Sequence, residues 1–143
     1  MPTRKAHARW EGGLKAGKGR MDLGDGAFAG AYSFASRFED GAGTNPEELL
    51  GASHASCFAM ALSLVLGQAG FEPEYVDVTA HVTVVPREGG FKITKSHLVC
   101  EAKVPGIEQA AFVQHAEAAK KGCPVSQALA GVEITLGARL VST

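Results

Sequence analysis

Residues 44–66 read TNPEELLGASHASCFAMALSLVL, and this stretch decides the fold. It opens with polar cap candidates, a proline whose missing N–H is harmless at a helix start, and two acids facing the positive end of the helix dipole. These residues are Thr44, Asn45, Pro46, Glu47 and Glu48. Only Gly51 interrupts the run before Gly67 and Gly70 stop it. The sequence therefore predicts one long helix of roughly five or six turns.

The composition of this helix predicts its environment. No polar stripe runs along it, so we expect it to be buried nearly all round. Its apolar residues are Leu49, Leu50, Phe58, Met60, Leu62, Leu64, Val65 and Leu66. A chain of 143 residues has difficulty covering such a helix alone, and a second subunit is the simplest cover. A membrane span is the rival interpretation, but His54 and three serines interrupt the run and polar, alternating strands surround it.

The segments that flank the helix predict strands. Up to residue 38, glycines split the chain into short strands at 5–10, 17–23 and 31–38, which fits a small meander. Aromatic side chains alternate along the third of these strands, which we expect to place them on one face. The turns at 24–26 and 39–43 are rich in glycine and should be exposed.

After the helix, apolar and polar residues alternate over 76–84, which indicates a half-buried strand. Residues 91–104 return as its partner, with a shift of apolar phase that predicts a bulge near Lys95–His97. An amphipathic helix at 108–121, a short helix beginning at Pro124 and a last strand at 132–141 complete the order. This order predicts an α+β fold in a single domain, 1–143, with antiparallel sheets around the long helix rather than a parallel βαβ array.

Charge and cysteine content restrict the function. Lys and Arg number 14 against 15 Asp and Glu, a formal net charge of −1, so no basic surface for nucleic acid is expected. The first residues lack the apolar segment and cleavage site of a signal peptide. Three cysteines are too few for a disulfide framework and suit a reducing compartment, which favours a cytoplasmic protein.

Local chemistry ranks the three thiols in a definite order. Cys123 precedes Pro124 where a helix begins, so the helix dipole should favour its thiolate. Cys57 lies in the middle of the long helix, where a free cysteine is most often a small buried apolar residue. Cys100 lies in an apolar strand without a cation and is interpreted as packing. On this argument alone, Cys123 is the more reactive thiol.

Other polar residues near the cysteines have ordinary explanations when taken alone. His54, Cys57 and Cys123 could be zinc ligands, but the chain has no Cys-x-x-Cys pair and no obvious fourth ligand. Arg37 follows an apolar run and could simply end a strand in water. Glu47 could do no more than complement the helix dipole, although it could also hold an arginine.

Several segments together closely resemble the OsmC/Ohr family, the osmotically inducible and organic hydroperoxide resistance proteins. They span nearly the whole chain: 8–12 (ARWEG), 37–39 (RFE), 44–58 (TNPEELLGASHASCF), 104–107 (VPGI) and 122–127 (GCPVSQ). The stretch at 37–39, and His54 where the hydroperoxide resistance branch tends to have tyrosine, resemble the OsmC branch. The resemblance implies an intertwined homodimer with sheets wrapped around the central helix.

The resemblance also implies site residues. In the family the helix cysteine, here Cys57, attacks the peroxide, and the cysteine before Pro-Val-Ser, here Cys123, resolves the product as a disulfide. This reverses the order obtained from local chemistry. A nearby arginine held by an acid would account for the reversal by stabilising the Cys57 thiolate. By resemblance these are Arg37 and Glu47.

One geometric difficulty accompanies these assignments. Ten residues of straight helix place Glu47 about 15 Å from Cys57 along the axis, too far for direct contact. Three solutions remain open at the level of sequence. The helix could break near Gly51–Ser53, Arg37 could span the gap, or the pair could come from the other subunit of a dimer.

The implied activity is a thiol peroxidase that reduces organic hydroperoxides, and hydrogen peroxide less well, to alcohols. No cofactor or metal is expected, because a thiolate and a good leaving group suffice. A dithiol or lipoyl-type thiol reductant would reset the enzyme. Apolar neighbours could favour alkyl chains; they are Phe28, Tyr32, Phe34, Leu50, Phe58 and Met60. The alternatives are a lipid-like ligand-binding or redox-sensing stress protein without turnover, and an oligomeric stress protein whose cysteines merely pack.

Overall fold

Three strands, two helices, two strands, two helices and a final strand follow one another in the computed structural model, which describes residues 1–141. The chain divides into two units, Met1–Leu49 and the part that begins at Leu50. Each unit is described by itself.

The first unit holds a three-stranded antiparallel meander in the order β1-β2-β3. Its strands are β1 (Ala6–Glu11), β2 (Lys18–Leu23) and β3 (Phe28–Tyr32). Gly19 of β2 lies beneath the rings of Trp10 and Tyr32, whose centroids are 5.5 Å apart. A Cβ at Gly19 would come within 2.5 Å of the Tyr32 ring, so only glycine allows this aromatic contact. The predicted meander is confirmed, and both glycine-rich turns are exposed as expected.

The prediction of a strand at 31–38 was wrong, because β3 ends at Tyr32 and helix α1 (Phe34–Phe38) follows. Ser33 begins this helix through a reciprocal capping box with Ser36. The backbone N–H of Ser36 donates to Ser33 Oγ over 3.0 Å, and the N–H of Ser33 donates to Ser36 Oγ over 2.8 Å. The alternating aromatics therefore meet at helical spacing, with the rings of Phe34 and Phe38 5.2 Å apart.

Helix α2 (Pro46–Gln68) confirms the long helix that the sequence predicts. Asn45 Oδ1 caps it by accepting the backbone N–H of Glu48 over 2.8 Å. Within the single chain only one face of α2 is buried, so burial nearly all round would require the second subunit that the sequence analysis expects. That face carries Gly51, His54, Phe58, Leu62 and Leu66. On another face, Met60 and Leu64 are 76% and 63% exposed.

By length and composition alone, α2 is able to cross a membrane. The core helix of a soluble protein meets the same criteria. The fully buried face of α2 carries a histidine whose two ring nitrogens are hydrogen-bonded to serines of the same unit. Protein groups, rather than lipid, therefore surround that face.

The second unit contains a mixed three-stranded sheet in the order β4-β5-β6. Its strands are β4 (Tyr75–Arg87), β5 (Gly90–Lys103) and β6 (Glu133–Leu140). Strands β4 and β5 form a long antiparallel hairpin in which Thr83 pairs with Lys95 and Val84 pairs with Ile93. Thr94 is thus the extra residue, and the predicted bulge is present just before the predicted segment.

The last strand corrects the expectation of purely antiparallel sheets, because β6 pairs with β5 in parallel. Helices α3 (Gln109–Gly122) and α4 (Pro124–Ala128) return the chain to the end of the sheet at which β5 begins. A helical crossover of this kind produces a parallel pair. The α+β class with two sheets and a long helix is confirmed. The core of this unit comprises Phe58, Leu62, Leu66, Leu98, Cys100, Ala102, Val104, Phe112, Ala116, Ala119 and Cys123.

Candidate active site

Two cysteines from distant parts of the chain meet in the second unit. Cys57 lies on α2 and is partly buried, and Cys123 is fully buried at the junction of α3 and α4. Cys123 ends the first of these helices and begins the second. Both thiols are free, and Cys57 packs against the core to which Cys123 belongs. They lie close enough for each to shift the pKa of the other.

The pair shares its protons unequally. Burial raises the pKa of Cys57, the hydrogen bond to Cys123 raises it further, and the backbone N–H of Val125 opposes this shift. Burial also raises the pKa of Cys123, but hydrogen bonds from Cys57, from the backbone and hydroxyl of Ser126, and from the backbone N–H of Val125 outweigh it. The pKa of Cys123 therefore lies below its usual value. In the reduced pair, loss of a proton is therefore easier at Cys123 than at Cys57.

A buried histidine extends this site. His54 is 0% exposed, and its Nδ1 lies 2.7 Å from Ser96 Oγ on β5. Its Nε2 lies 2.8 Å from Ser126 Oγ on α4. Burial lowers the pKa of His54, so the neutral imidazole is the stable form. A row of polar groups thus runs from Ser96 through His54 to Ser126, whose hydroxyl helps to lower the pKa of Cys123.

A bidentate ion pair lies in the first unit. Arg37 Nε donates to both carboxylate oxygens of Glu47 over 3.0 and 3.1 Å, and Arg37 Nη2 donates to Oε1 over 2.7 Å. The Glu47 side chain is 8% exposed, and that of Arg37 is 33% exposed. Glu48 instead accepts a hydrogen bond from Thr44 Oγ1 over 2.8 Å. Glu47 is therefore the acid that holds the guanidinium, in a fixed planar geometry.

The structure thus brings the four predicted site residues together as two pairs, Cys57 with Cys123 and Arg37 with Glu47. Arg37 lies in α1 rather than at the end of a strand, and Glu47 lies in the first turn of α2. Helix α2 is continuous from Pro46 to Gln68, which removes the alternative of a break near Gly51–Ser53.

The third cysteine has a different environment. Cys100 is 1% exposed within the apolar core of the second unit. Burial, with smaller contributions from Asp77 and Glu101, raises its pKa to about 11. The thiol is therefore protonated at neutral pH and poorly nucleophilic.

Sequence reasoning missed the part played by the histidine and the serines. It considered His54 as a possible zinc ligand and as a mark of the OsmC branch, whereas serine hydroxyls engage both of its ring nitrogens. Within residues 1–141, no group of three or more His, Cys, Asp or Glu side chains is arranged to hold a metal ion. The available signal was the spacing: His54 precedes Cys57 by one helical turn, and Ser126 follows Cys123 by the same interval.

Two side chains expected to line an apolar substrate site lie in contrasting environments. Phe58 is 0% exposed, so its side chain packs α2 against the core of the second unit. Met60, two positions further along α2, is 76% exposed. The two side chains therefore do not share one surface of the chain.

Several known proteins are similar to this chain. Residues 39–137 match the family model described as OsmC-like protein. Peroxiredoxin OsmC of Escherichia coli K12 is 50% identical over 97% of both chains. An organic hydroperoxide resistance protein of Xanthomonas axonopodis pv. citri is 34% identical over 67% of both chains.

Solved structures show the same relationship. The crystal structure of the organic hydroperoxide resistance protein OhrB of Bacillus subtilis superimposes with a TM-score of 0.77 at 29% identity, covering 96% of this chain and 98% of that one. The higher identity to the OsmC relative than to the Xanthomonas protein agrees with the predicted branch. The matched family model, the near full-length relative and the shared fold all lead to one conclusion: this chain belongs to the OsmC/Ohr family.

Proposed function

We propose that this protein is a thiol-dependent peroxidase that reduces organic hydroperoxides, and hydrogen peroxide less well, with Cys57 as the attacking thiol and Cys123 as the resolving thiol. The observation that carries the proposal is the proximity of these two thiols, which come from distant parts of the chain and shift each other's pKa. Relatives named as a peroxiredoxin and as organic hydroperoxide resistance proteins support the reaction class.

The reaction has two chemical steps. The Cys57 thiolate attacks the terminal oxygen of ROOH, an S–O bond forms, the O–O bond breaks, and RO⁻ takes a proton to leave as the alcohol. Cys57 is then a sulfenic acid. Cys123 attacks its sulfur, the S–S bond forms, and the oxygen leaves as water. A thiol reductant, a dithiol or lipoyl-type molecule, then reopens the disulfide by exchange.

The first step needs the negative charge on Cys57, whereas the isolated pair favours it on Cys123. A cation near Cys57 would reverse the preference, because opposite charge stabilises a thiolate. We assign this role to Arg37, positioned by the two-pronged grip of Glu47. The assignment rests on the resemblance to the family and on the rigidity of the ion pair, and the pair would serve Cys57 of its own chain or of a second subunit.

The protein is further proposed to act as an intertwined homodimer of single 1–143 domains in the cytoplasm. Met60 and Leu64 support the dimer, because two large apolar side chains exposed on one helix are typical of a surface that a partner covers. The alignment with the E. coli relative over 97% of both chains supports a single functional domain. The small number of cysteines, all free, supports a reducing compartment.

The function is tested with cumene hydroperoxide and a dithiol, comparing the wild type with Cys57→Ser and Cys123→Ser. Cys57→Ser should abolish turnover, because it removes the nucleophile. Cys123→Ser should consume about one equivalent of peroxide and then stop. Cys100→Ser is the matched control and should retain turnover, because its thiol is buried and protonated. Equal peroxide consumption by the first two variants, or no catalytic consumption by the wild type, would refute the proposal and favour a redox-sensing or ligand-binding protein.

A further inference from the structure

His54 is fully buried, is titratable and has no part in the two-step reaction described above. Burying a polar ring costs free energy unless its nitrogens are hydrogen-bonded, and both of them are. Its two partners come from different elements, Ser96 from β5 and Ser126 from α4. Ser126 lies in the first turn of the helix that Cys123 begins, and its hydroxyl helps to lower the pKa of Cys123. The Ser126 hydroxyl thus links the histidine to the thiol pair.

We propose that His54 is a positioning residue that directs the Ser126 hydroxyl toward Cys123 and thereby accelerates closure of the Cys57–Cys123 disulfide. This inference rests on the proposed peroxidase function. It concerns the second step, in which Cys123 attacks the sulfenic acid, and it assigns no direct contact between His54 and the peroxide.

The argument follows the donors and acceptors along the row. A neutral imidazole has one N–H donor and one acceptor nitrogen. The Ser126 hydroxyl has one proton to donate. It can therefore donate to a Cys123 thiolate only when it does not donate to His54. With the proton on Nε2, His54 donates to Ser126 Oγ, and its Nδ1 accepts from the Ser96 hydroxyl. In this tautomer the Ser126 O–H is free to be directed at the sulfur.

The opposite tautomer has the opposite effect. With the proton on Nδ1, His54 donates to Ser96, and its Nε2 accepts the Ser126 O–H. The Ser126 oxygen can then only accept from a Cys123 thiol, which stabilises the protonated form. The row therefore has two states, one for each protonation state of Cys123. The burial that lowers the pKa of His54 keeps the ring neutral, so both states remain available.

The closure step consumes the thiolate that this row stabilises. As the S–S bond forms, Cys123 sulfur is oxidised and Cys57 sulfur is reduced. The S–O bond breaks, and the departing oxygen takes up the proton that Cys123 released, leaving as water. Loss of the Ser126 hydrogen bond would reduce the fraction of Cys123 present as thiolate. The remaining thiolate would be intrinsically more nucleophilic, but by a smaller factor, so closure should slow by about 3- to 10-fold.

The first step should respond in the opposite direction. The two thiols share their protons, so a hydrogen bond that stabilises the Cys123 thiolate keeps the proton on Cys57. Removing that bond makes the Cys57 thiolate more populated. Oxidation of Cys57 should then be unchanged or faster, while closure is slower. A general disturbance of packing would slow both steps together.

The experiment measures both steps separately by rapid quench, trapping the Cys57 sulfenic acid with dimedone and quantifying the disulfide by mass spectrometry. His54→Phe removes both ring nitrogens at similar size, and Ser126→Ala removes the linking hydroxyl with a smaller change. His54→Gln restores an N–H donor toward Ser126. Ser63→Ala, at an exposed position on the same helix, is the control.

We expect slower closure in His54→Phe and Ser126→Ala, recovery in His54→Gln, and wild-type rates in Ser63→Ala. The double variant His54→Phe/Ser126→Ala should be no slower than either single variant, because both act through one hydrogen bond. Wild-type closure in Ser126→Ala, or His54→Gln as slow as His54→Phe, would overturn the inference. If His54→Phe does not fold, Ser126→Ala decides. Failure of the wild type to form the sulfenic acid would instead overturn the proposed function.

Discussion

Cys57 on α2 and Cys123 between α3 and α4 lie close together in the reduced chain, and each shifts the pKa of the other. The pair is polarised, because the pKa of Cys57 lies above its usual value and that of Cys123 lies below. Two thiols that interact so closely titrate as a unit rather than as independent groups. The groups around the pair therefore determine which of the two thiols is more easily ionised.

Mild oxidation should join these two cysteines and leave the third untouched. One equivalent of cumene hydroperoxide should produce the Cys57–Cys123 disulfide, while Cys100 stays reduced because it is buried and its pKa is about 11. Differential alkylation followed by peptide mass spectrometry identifies the modified residues. A disulfide that includes Cys100 would contradict the site described here.

Glu47, the acid that holds Arg37, should affect activity and stability more than its neighbour Glu48. Glu47→Gln weakens a grip of three hydrogen bonds, and we expect oxidation of Cys57 to slow by about tenfold and stability to fall by about 1–3 kcal/mol. Glu48→Gln is the matched control, since Glu48 is exposed and contacts Thr44 instead. Pre-steady-state oxidation and thermal melting measure the two effects. Equal effects of both substitutions would show that Glu47 has no special role.

Acid should destabilise the protein partly through His54. Its folded-state pKa is lowered from 6.5 by burial, so the unfolded chain binds a proton more readily as the pH falls below about 6.5. Stability contributed by this group is present above that pH and is lost on acidification, by up to about 1.4 kcal/mol per pH unit. Urea unfolding of the wild type and of His54→Gln between pH 7 and pH 5 isolates the effect. Parallel curves for the two proteins would contradict it.

The exposed apolar residues of α2 should govern association. Met60 and Leu64 are 76% and 63% exposed in the single chain, and burying them against a partner would be favourable. Met60→Glu combined with Leu64→Glu should convert a dimer into monomers, as measured by light scattering after size-exclusion chromatography. Glu at the exposed position Ser63 is the control for added charge on the same helix. A wild type that is monomeric would remove the proposed dimer itself.

Several features of this protein could be read from the sequence because they depend on neighbouring residues. The start of α2 follows from Asn45 and Pro46, and the strands β4 and β5 follow from their alternation. The capping box of Ser33 and Ser36 also depends on neighbouring residues, but the alternation of aromatic residues favoured a strand at this position instead. The parallel pairing of β6 was not local, since it depends on the path that α3 and α4 take across the sheet.

The candidate site divides in the same way. The site residues at 37, 47, 57 and 123 could be proposed from the sequence, because they lie in segments that resemble the OsmC/Ohr family. Which acid binds Arg37, and which hydroxyls enclose His54, depended on side chains brought together from separate elements. The sequence by itself determined the helix, the thiols and the reaction class. Only the tertiary structure decided the proton distribution of Cys57 and Cys123, because burial and hydrogen bonding set a thiol pKa and neither exists in an extended chain.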